Sequence, residues 1–422
     1  MPSSCVRSAC IAALAMVPAG CIGDLGLTDG TSAVRSVSAD RIHVVGTGES
    51  IARIADLQPT RSGVIWVLNT TEPYFVAIDG SGEVVRSFGS AGGGPDEFRS
   101  PNALVGDAAS DDVWVYDRGA HTLVNISGPE ASAETVTLSR DSLPTGRIMT
   151  HDNAGTGNGR YWVRHSDGGF LFARARPGVT GMRQIWHSDL VEHDRDGGTR
   201  VLFSPDDVLG DPTTLFGDAT EFLPFPLLDI CPDGSVALYD PESNTLRRYS
   251  RTGALLDSDS LPAPRRVETT ADRLFFMMYP GIVEQAPASG LPDSAALHGM
   301  LKLQWPDISA QMARVFPEYN DLHCVDNGVM WIQPLDVESG QIGRGPLWLR
   351  IDADGAIERI ELPDEFRPLR FIGDRIWGVH RGELDIESVA WLEPDGNGSI
   401  DYSFAARVLS WRPDARQLVS AR

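Results

Sequence analysis

Residues 88–126 read FGSAGGGPDEFRSPNALVGDAASDDVWVYDRGAHTLVNI, and this stretch decides the fold. Gly92-Gly93-Gly94-Pro95 suits neither helix nor central strand, because glycine is entropically loose and proline lacks an N–H. Phe98 offers an anchor for that loop. Asn102 to Asp107 reads as a short, mostly apolar strand, and Ala108 to Asp111 as a turn. Val113-Trp114-Val115-Tyr116 has the β-branched and aromatic make-up of a half-buried strand. Asp117-Arg118-Gly119-Ala120 turns the chain, and His121 to Ile126 makes a third strand. Three strands joined by turns, with a glycine-rich loop leading in, form one blade of a β-propeller.

The unit repeats along the chain. Its second strand recurs as Val64-Ile65-Trp66-Val67, Val113-Trp114-Val115-Tyr116, Phe170-Leu171-Phe172-Ala173, Val236-Ala237-Leu238-Tyr239, Val329-Met330-Trp331-Ile332 and Arg375-Ile376-Trp377-Gly378. Six such strands predict six blades, and short strands at close spacing favour a propeller over other repeat folds. Third and fourth strands are legible in blades one, four and five, joined by Gly80-Ser81-Gly82, Arg251-Thr252-Gly253 and Ala353-Asp354-Gly355. Such pairs supply the positive φ of tight hairpins. Ile42-His43-Val44-Val45 has no blade of its own, which predicts that it closes blade six beside Val389 to Leu392. Ile400 to Trp411 competes for that place.

The stretch from residue 88 to 126 also resembles the NHL-repeat family. The matching features are Gly92, Gly94, Pro95, Phe98, Pro101 and the Val113 to Asp117 run. The resemblance implies a six-bladed propeller of the bacterial lipoprotein type and implies no activity.

The largest break in the pattern is residues 264–318. Asp307 is a candidate N-cap, and Ile308, Met312, Val315 and Phe316 fall on one helical face. Thr270 to Met278 reads as a second helix, stopped by Pro280-Gly281. The expected fold is therefore all-β, a six-bladed β-propeller over 41–412 with a short helical insert between blades four and five, followed by a tail over 413–422. Links from the fourth strand of one blade to the first of the next share one face, so the insert and the Gly92 to Phe98 loop are expected there together.

Composition gives an address. The 422 residues carry a net charge of −22, which opposes nucleic acid and anionic membrane surfaces. Lys302 is the only lysine. Residues 1–20 have one charge, Arg7, an apolar run from Ala9 to Val17, and Pro18-Ala19-Gly20 before Cys21. That is the order of a secretory signal, too short to span a bilayer. Its ending resembles a bacterial lipobox, which implies lipidation of Cys21; an ordinary cleaved signal is the alternative. Residues 21–40, rich in Gly, Ser, Thr and Asp, read as a flexible tether. Cys231 and Cys324 end the first strands of their blades. They read as buried small hydrophobes, with an inter-blade disulfide as the other possibility.

Chemistry is thinly signalled. Glu393 to Asp401 resembles the start of an EF-hand loop, but Phe404 stands where a bidentate Glu is required, so it reads as a turn. The nine histidines are scattered. Gluconolactonase-like hydrolases, zinc amidating lyases and streptogramin lyases share the fold class, and none of their ligand sets maps onto this chain. No catalytic residue, metal or cofactor is assigned. Inner-strand polar residues beneath the insert, Asn102, Asp229, His323 and Arg370, are the candidate binding residues. The expected function is a lipid-anchored cell-envelope module that binds or scaffolds a peptide, protein or glycan. The alternative is a propeller hydrolase or lyase acting at the channel mouth.

Overall fold

The computed structural model describes residues 34–46, 51–128, 134–138, 162–164, 169–175, 188–194, 197–209, 226–262, 303, 319–325, 328–336, 343–382 and 385–394. Six antiparallel sheets follow one another along the chain. Blade one is Ile54–Pro59, Ile65–Asn69, Phe75–Ile78 and Val84–Phe88. Blade two is Pro101–Gly106, Val113–Asp117, Thr122–Asn125 and Thr135–Thr137. Blade three is Trp162–Arg164, Phe170–Ala175, Ser188–His193 and Thr199–Phe203. Blade four is Leu227–Ile230, Val236–Asp240, Thr245–Tyr249 and Leu255–Ser260. Blade five is Tyr319–Cys324, Met330–Asp336, Leu347–Ile351 and Ile357–Glu361. Blade six is Phe366–Ile372, Arg375–Arg381, Glu387–Leu392 and, from the other end of the chain, His43–Gly46.

The first strand of each blade is innermost and the fourth outermost, so the chain enters every inner strand from the same face, here the upper one. The hairpins joining first to second and third to fourth strands lie on the lower face. Tight turns hold that face: Asp79, for instance, accepts N–H bonds from Ser81 and Glu83, and Gly82 takes φ +84° where a side chain would meet Val45 O.

The core is not one body. Each blade buries one sheet face against the next, which gives six wedge-shaped seams. Leu57, Val76, Val379 and Val389 fill the seam between blades six and one. Ala55, Phe75, Leu104 and Val115 fill that between one and two. Trp114 packs edge-on against Phe170 between two and three, with ring centroids 5.2 Å apart. Leu171, Leu190, Ile230 and Leu238 join three to four. Tyr239 and Tyr319 join four to five, and Trp331, Trp348 and Phe371 join five to six. Six blades and six seams close the ring.

Closure follows the expected route. His43 pairs with Trp391 and Val44 with Ala390, antiparallel, so residues 43–46 take the outer place in blade six. Residues 400–411, the competing stretch, lie outside the described residues.

Two expectations need correcting. Cys231 and Cys324 are joined by a disulfide, with Cα atoms 4.9 Å apart, rather than being two separate buried hydrophobes. They stand at matching ends of neighbouring inner strands, which is why they meet. Strand pairing also begins before residue 41. Arg35 and Ser36 pair in parallel with Ile360 and Glu361 at the outer edge of blade five. Arg35 donates to Glu358, and Val37 N–H to Glu361 O at 2.8 Å. The Arg35 guanidinium holds the Glu358 carboxyl below the usual glutamate range.

Helical structure among the described residues comes to two 3-10 turns, Ala39–Arg41 and Pro205–Asp207, and single residues at Leu303, Gly328 and Asp385. The helical insert over 264–318 otherwise lies outside the described residues, as do residues 1–33, with Cys21, and the tail over 413–422. No helix among the described residues is long and apolar enough to cross a membrane.

Candidate functional site

An inner strand is a sheet edge, and every second backbone N–H and C=O along it points away from its partner strand. These groups need partners from elsewhere. Carboxylates in an otherwise apolar setting supply several, and each serves the blade that follows. Asp56 of blade one accepts the N–H of Leu104 in blade two at 2.9 Å. Asp229 of blade four accepts the N–H of Cys324 in blade five at 2.7 Å. Glu387 of blade six accepts the N–H of Ile54 in blade one at 2.6 Å.

Arg370 ties three blades together. From blade six its Nη2 donates to Asp56 Oδ2 at 2.7 Å and to Leu104 O at 2.8 Å, while its Nε donates to Leu57 O at 3.1 Å. Burial pushes the Asp56 carboxyl above its ordinary value. The Arg370 charge and the N–H groups of Leu104 and Leu57 pull it back.

Three of the four candidate residues share one level of the ring. Asp229 stands opposite Ala237, His323 opposite Trp331 and Arg370 opposite Trp377. Gln58, opposite Trp66, is a fourth polar residue at that level that sequence reading passed over. Asp229 and Arg370 make the inter-blade bonds just described. His323 is buried in the seam between blades five and six, its ring 4.2 Å from that of Phe371 and its Nε2 3.8 Å from the Asp321 carboxylate. Asn102 is set apart. It lies at the bulge where pairing steps from Ala103–Tyr116 to Pro101–Asp117, nearer the upper face, and it is half-buried. Asp56 also escaped the sequence reading, although an acid between Ala55 and Leu57 is a visible signal.

At the upper mouth of blade two the glycine-rich loop folds on itself. Ser90-Ala91 pairs in parallel with Glu97-Phe98. The Glu97 carboxylate accepts the N–H groups of Gly93 and Gly94 at 2.9 and 2.7 Å. A side chain at Gly92 would collide with that carboxylate, its Cβ 2.1 Å from Oε2. Phe98 is the expected anchor, buried against Phe75 at 4.7 Å between centroids. Asp117 then links two turns: it accepts N–H bonds from Arg99 and Ser100 at 2.8 and 2.9 Å, and from Gly119 and Ala120 at 3.0 and 3.2 Å. The aspartate after the Val-Trp-Val-Tyr run thus holds the incoming loop to the next hairpin.

No family model and no curated protein matches the sequence. Solved structures do. A member of the DUF4221 family from Bacteroides vulgatus is 10% identical, with 84% of this chain and 98% of that one covered at a TM-score of 0.50. A candidate exported protein from Bacteroides fragilis is 10% identical, with 85% and 99% covered at 0.47. Catalytically inactive virginiamycin B lyase from Staphylococcus aureus, bound to quinupristin, is 11% identical, with 83% and 98% covered at 0.42. At these identities the likeness shows the fold alone.

Proposed function

We propose that the chain is an exported, lipid-anchored propeller of the NHL-repeat type that binds or scaffolds a peptide, protein or glycan of the bacterial cell envelope. One observation carries the binding role. The Tyr319 hydroxyl, at the start of blade five, donates to the carbonyl of Pro262, at the end of blade four, at 2.8 Å. The ring closes at that point without residues 263–318. A connection of that length in a compact domain is usually functional, and we take it as a short helical insert on the upper, ligand-bearing face. Asn102 is half-buried at the upper end of its inner strand, and we take Asp229, His323 and Arg370, one level of the ring further in, as its supports. The disulfide supports the address, since such bonds persist in oxidising compartments.

Two experiments test this reading. Cys21→Ser should release the protein from membranes into the soluble fraction, and an intact mass that retains residue 1 would overturn the anchor. Deleting 285–304 should leave the unfolding midpoint close to that of the parent while abolishing retention of envelope material by the immobilised protein. Unchanged retention would overturn the binding role.

A further inference from the structure

Among the described residues one outer blade edge is covered by a further strand. It is that of blade five, where Arg35–Ser36 lies parallel to Ile357–Glu361. Three contacts hold this strap. Arg35 Nε donates to Glu358, Ser36 Oγ donates to Glu361 Oε2 at 2.6 Å, and Val37 N–H donates to Glu361 O at 2.8 Å. Arg350, one strand further in, stands 3.8 Å from the same Glu358 carboxylate.

Blade four repeats this acceptor in the same register. In blade five Arg350, Trp348 and Leu347 stand opposite Glu358, Ile360 and Glu361. In blade four Arg248, Leu246 and Thr245 stand opposite Asp257, Asp259 and Ser260. Asp257 therefore takes the place of Glu358, and Ser260 that of Glu361. The residues that follow, Leu362 and Leu261, are both buried. Each donates its N–H to the carbonyl just before the third strand, Pro346 at 2.8 Å and Asn244 at 3.0 Å. Asp259 replaces Ile360 on the face that carries Asp257, because side chains two apart in a strand share a face. The blade-four edge is thus the more acidic of the two.

It is also open. Residues 255–260 are exposed apart from half-buried Asp259. Neither Asp257 nor Asp259 makes an ion pair among the described residues. Asp257 accepts the Ser258 N–H at 2.8 Å, and Asp259 leans on blade five, where a Cβ at Gly355 would stand 2.8 Å from Oδ1. Arg248 is turned to Asp233, at 3.9 Å. Burial and the Asp257 charge both push the Asp259 carboxyl up, as two acids without a cation between them require. Charge on an edge strand ordinarily discourages pairing. Blade five shows the opposite use: there an acid in the Asp257 position recruits a strand through its arginine.

We propose that the outer edge of blade four binds an extended segment of a partner protein, parallel to Leu255–Ser260, with an arginine opposite Asp259. The order Arg35-Ser36-Val37 supplies the pattern: arginine, then a small hydroxyl residue, then a β-branched one. Backbone pairing gives the affinity, and Asp257 with Asp259 selects the guanidinium. Residues preceding the arginine lie over Leu255 and Leu256, which are 57% and 51% exposed, so apolar side chains fit there. This surface is on the outer rim and does not depend on the upper face being a binding face.

The test adds a capped peptide of residues 34–39 to the purified full-length protein at low ionic strength, followed by saturation-transfer NMR. The peptide should bind the parent, and its Arg35→Glu version should not. Asp257→Arg in the protein should weaken binding at least about tenfold, equal to about 1.4 kcal/mol. Glu358→Gln, which acts on the edge already filled, should leave it unchanged. No binding to the parent, or an affinity in Asp257→Arg within about twofold of the parent, overturns the proposal. An effect confined to Glu358→Gln also overturns it, since the peptide is then displacing the chain's own strap. Self-association of the parent that Asp257→Arg abolishes would put a second copy on this edge and overturn the assignment to a separate partner.

Discussion

The seam between blades four and five and the seam between blades six and one solve the same problem with different chemistry. The first is covalent: Cys231–Cys324 crosses it, beside the Asp229 bond to the Cys324 N–H. The second is ionic. Glu387 takes the Ile54 N–H, Arg367 donates to the Ile54 carbonyl at 2.7 Å, and Arg370 reaches past blade one into blade two. Chain connectivity explains the contrast. Blades four and five are joined by the longest link in the ring, so proximity in sequence does little to hold them together, and closing a longer loop costs more entropy. A cross-link removes that entropy from the unfolded chain. Blades six and one meet with only residues 47–53 between the closing strand and the next blade, so hydrogen bonds suffice.

Removing Arg370 should break the ionic seam most severely. Arg370→Met leaves Asp56 buried without its counter-charge, which costs about 3 kcal/mol or more near neutral pH. The sign with pH follows from the raised folded-state pKa of Asp56. As pH climbs from the unfolded aspartate value, near 3.8, through the folded value, the native state holds a proton that the unfolded state has released, and stability falls. Losing Arg370 raises that folded value further, so the penalty should grow with pH and vanish in acid. Urea unfolding across that range checks it, with Asp56→Asn in the Arg370→Met background expected to recover part of the loss. A pH-independent penalty would show that lost packing, not charge, is responsible.

The covalent seam comes next. Replacing Cys231 and Cys324 together by alanine should cost about 2–4 kcal/mol. The comparison sharpens if residues 263–318 are replaced by a short linker. That change more than halves the closed loop, whose sequence separation is 93, and should shrink the disulfide's contribution by about 0.6 kcal/mol per halving. An unchanged contribution would mean that the bond acts through the native seam rather than through the unfolded chain.

Arg35→Ala should have the smallest effect, about 0.5 kcal/mol, because the pair with Glu358 is about one-third exposed. Glu358 has a lowered folded value, so its stabilisation is present above the ordinary glutamate range and is lost as pH falls through the lowered one. The protection of the Val37 amide, measured against its intrinsic exchange rate, should fall in the variant, and in the parent at acid pH. Equal exchange in both would show that backbone pairing alone holds this strand.

Much of the ring was legible because second strands such as Val113 to Tyr116 are buried on both faces and therefore uniformly apolar and aromatic. The closing strand was legible by elimination, since residues 42–45 had no other partner. The disulfide was not. Cys231 and Cys324 stood out only by matching positions, and pairing depends on the distance between neighbouring inner strands. The parallel pairing at Arg35 and Ser36 is two residues long and carries no periodicity to read. For the site, polarity in an inner strand singled out Asp229, His323 and Arg370, of which Asp229 and Arg370 bond to neighbouring blades. It did not separate groups that satisfy a neighbouring blade's backbone from those that face the mouth.

The closing strand also sets an order of events. Residues 43–46 precede blade one and pair with 389–391 in the last described strand. Until blade six has been synthesised and, if the chain is exported, carried across the membrane, the amino-terminal strand has no partner and the first inner strand has no Glu387 to receive its N–H. Each blade can form its hairpins as it emerges, because those pairings are local. The ring itself can finish only once blade six has been made, so its final step is a long-range, slow one, and the partly open ring before that step is the species most exposed to aggregation.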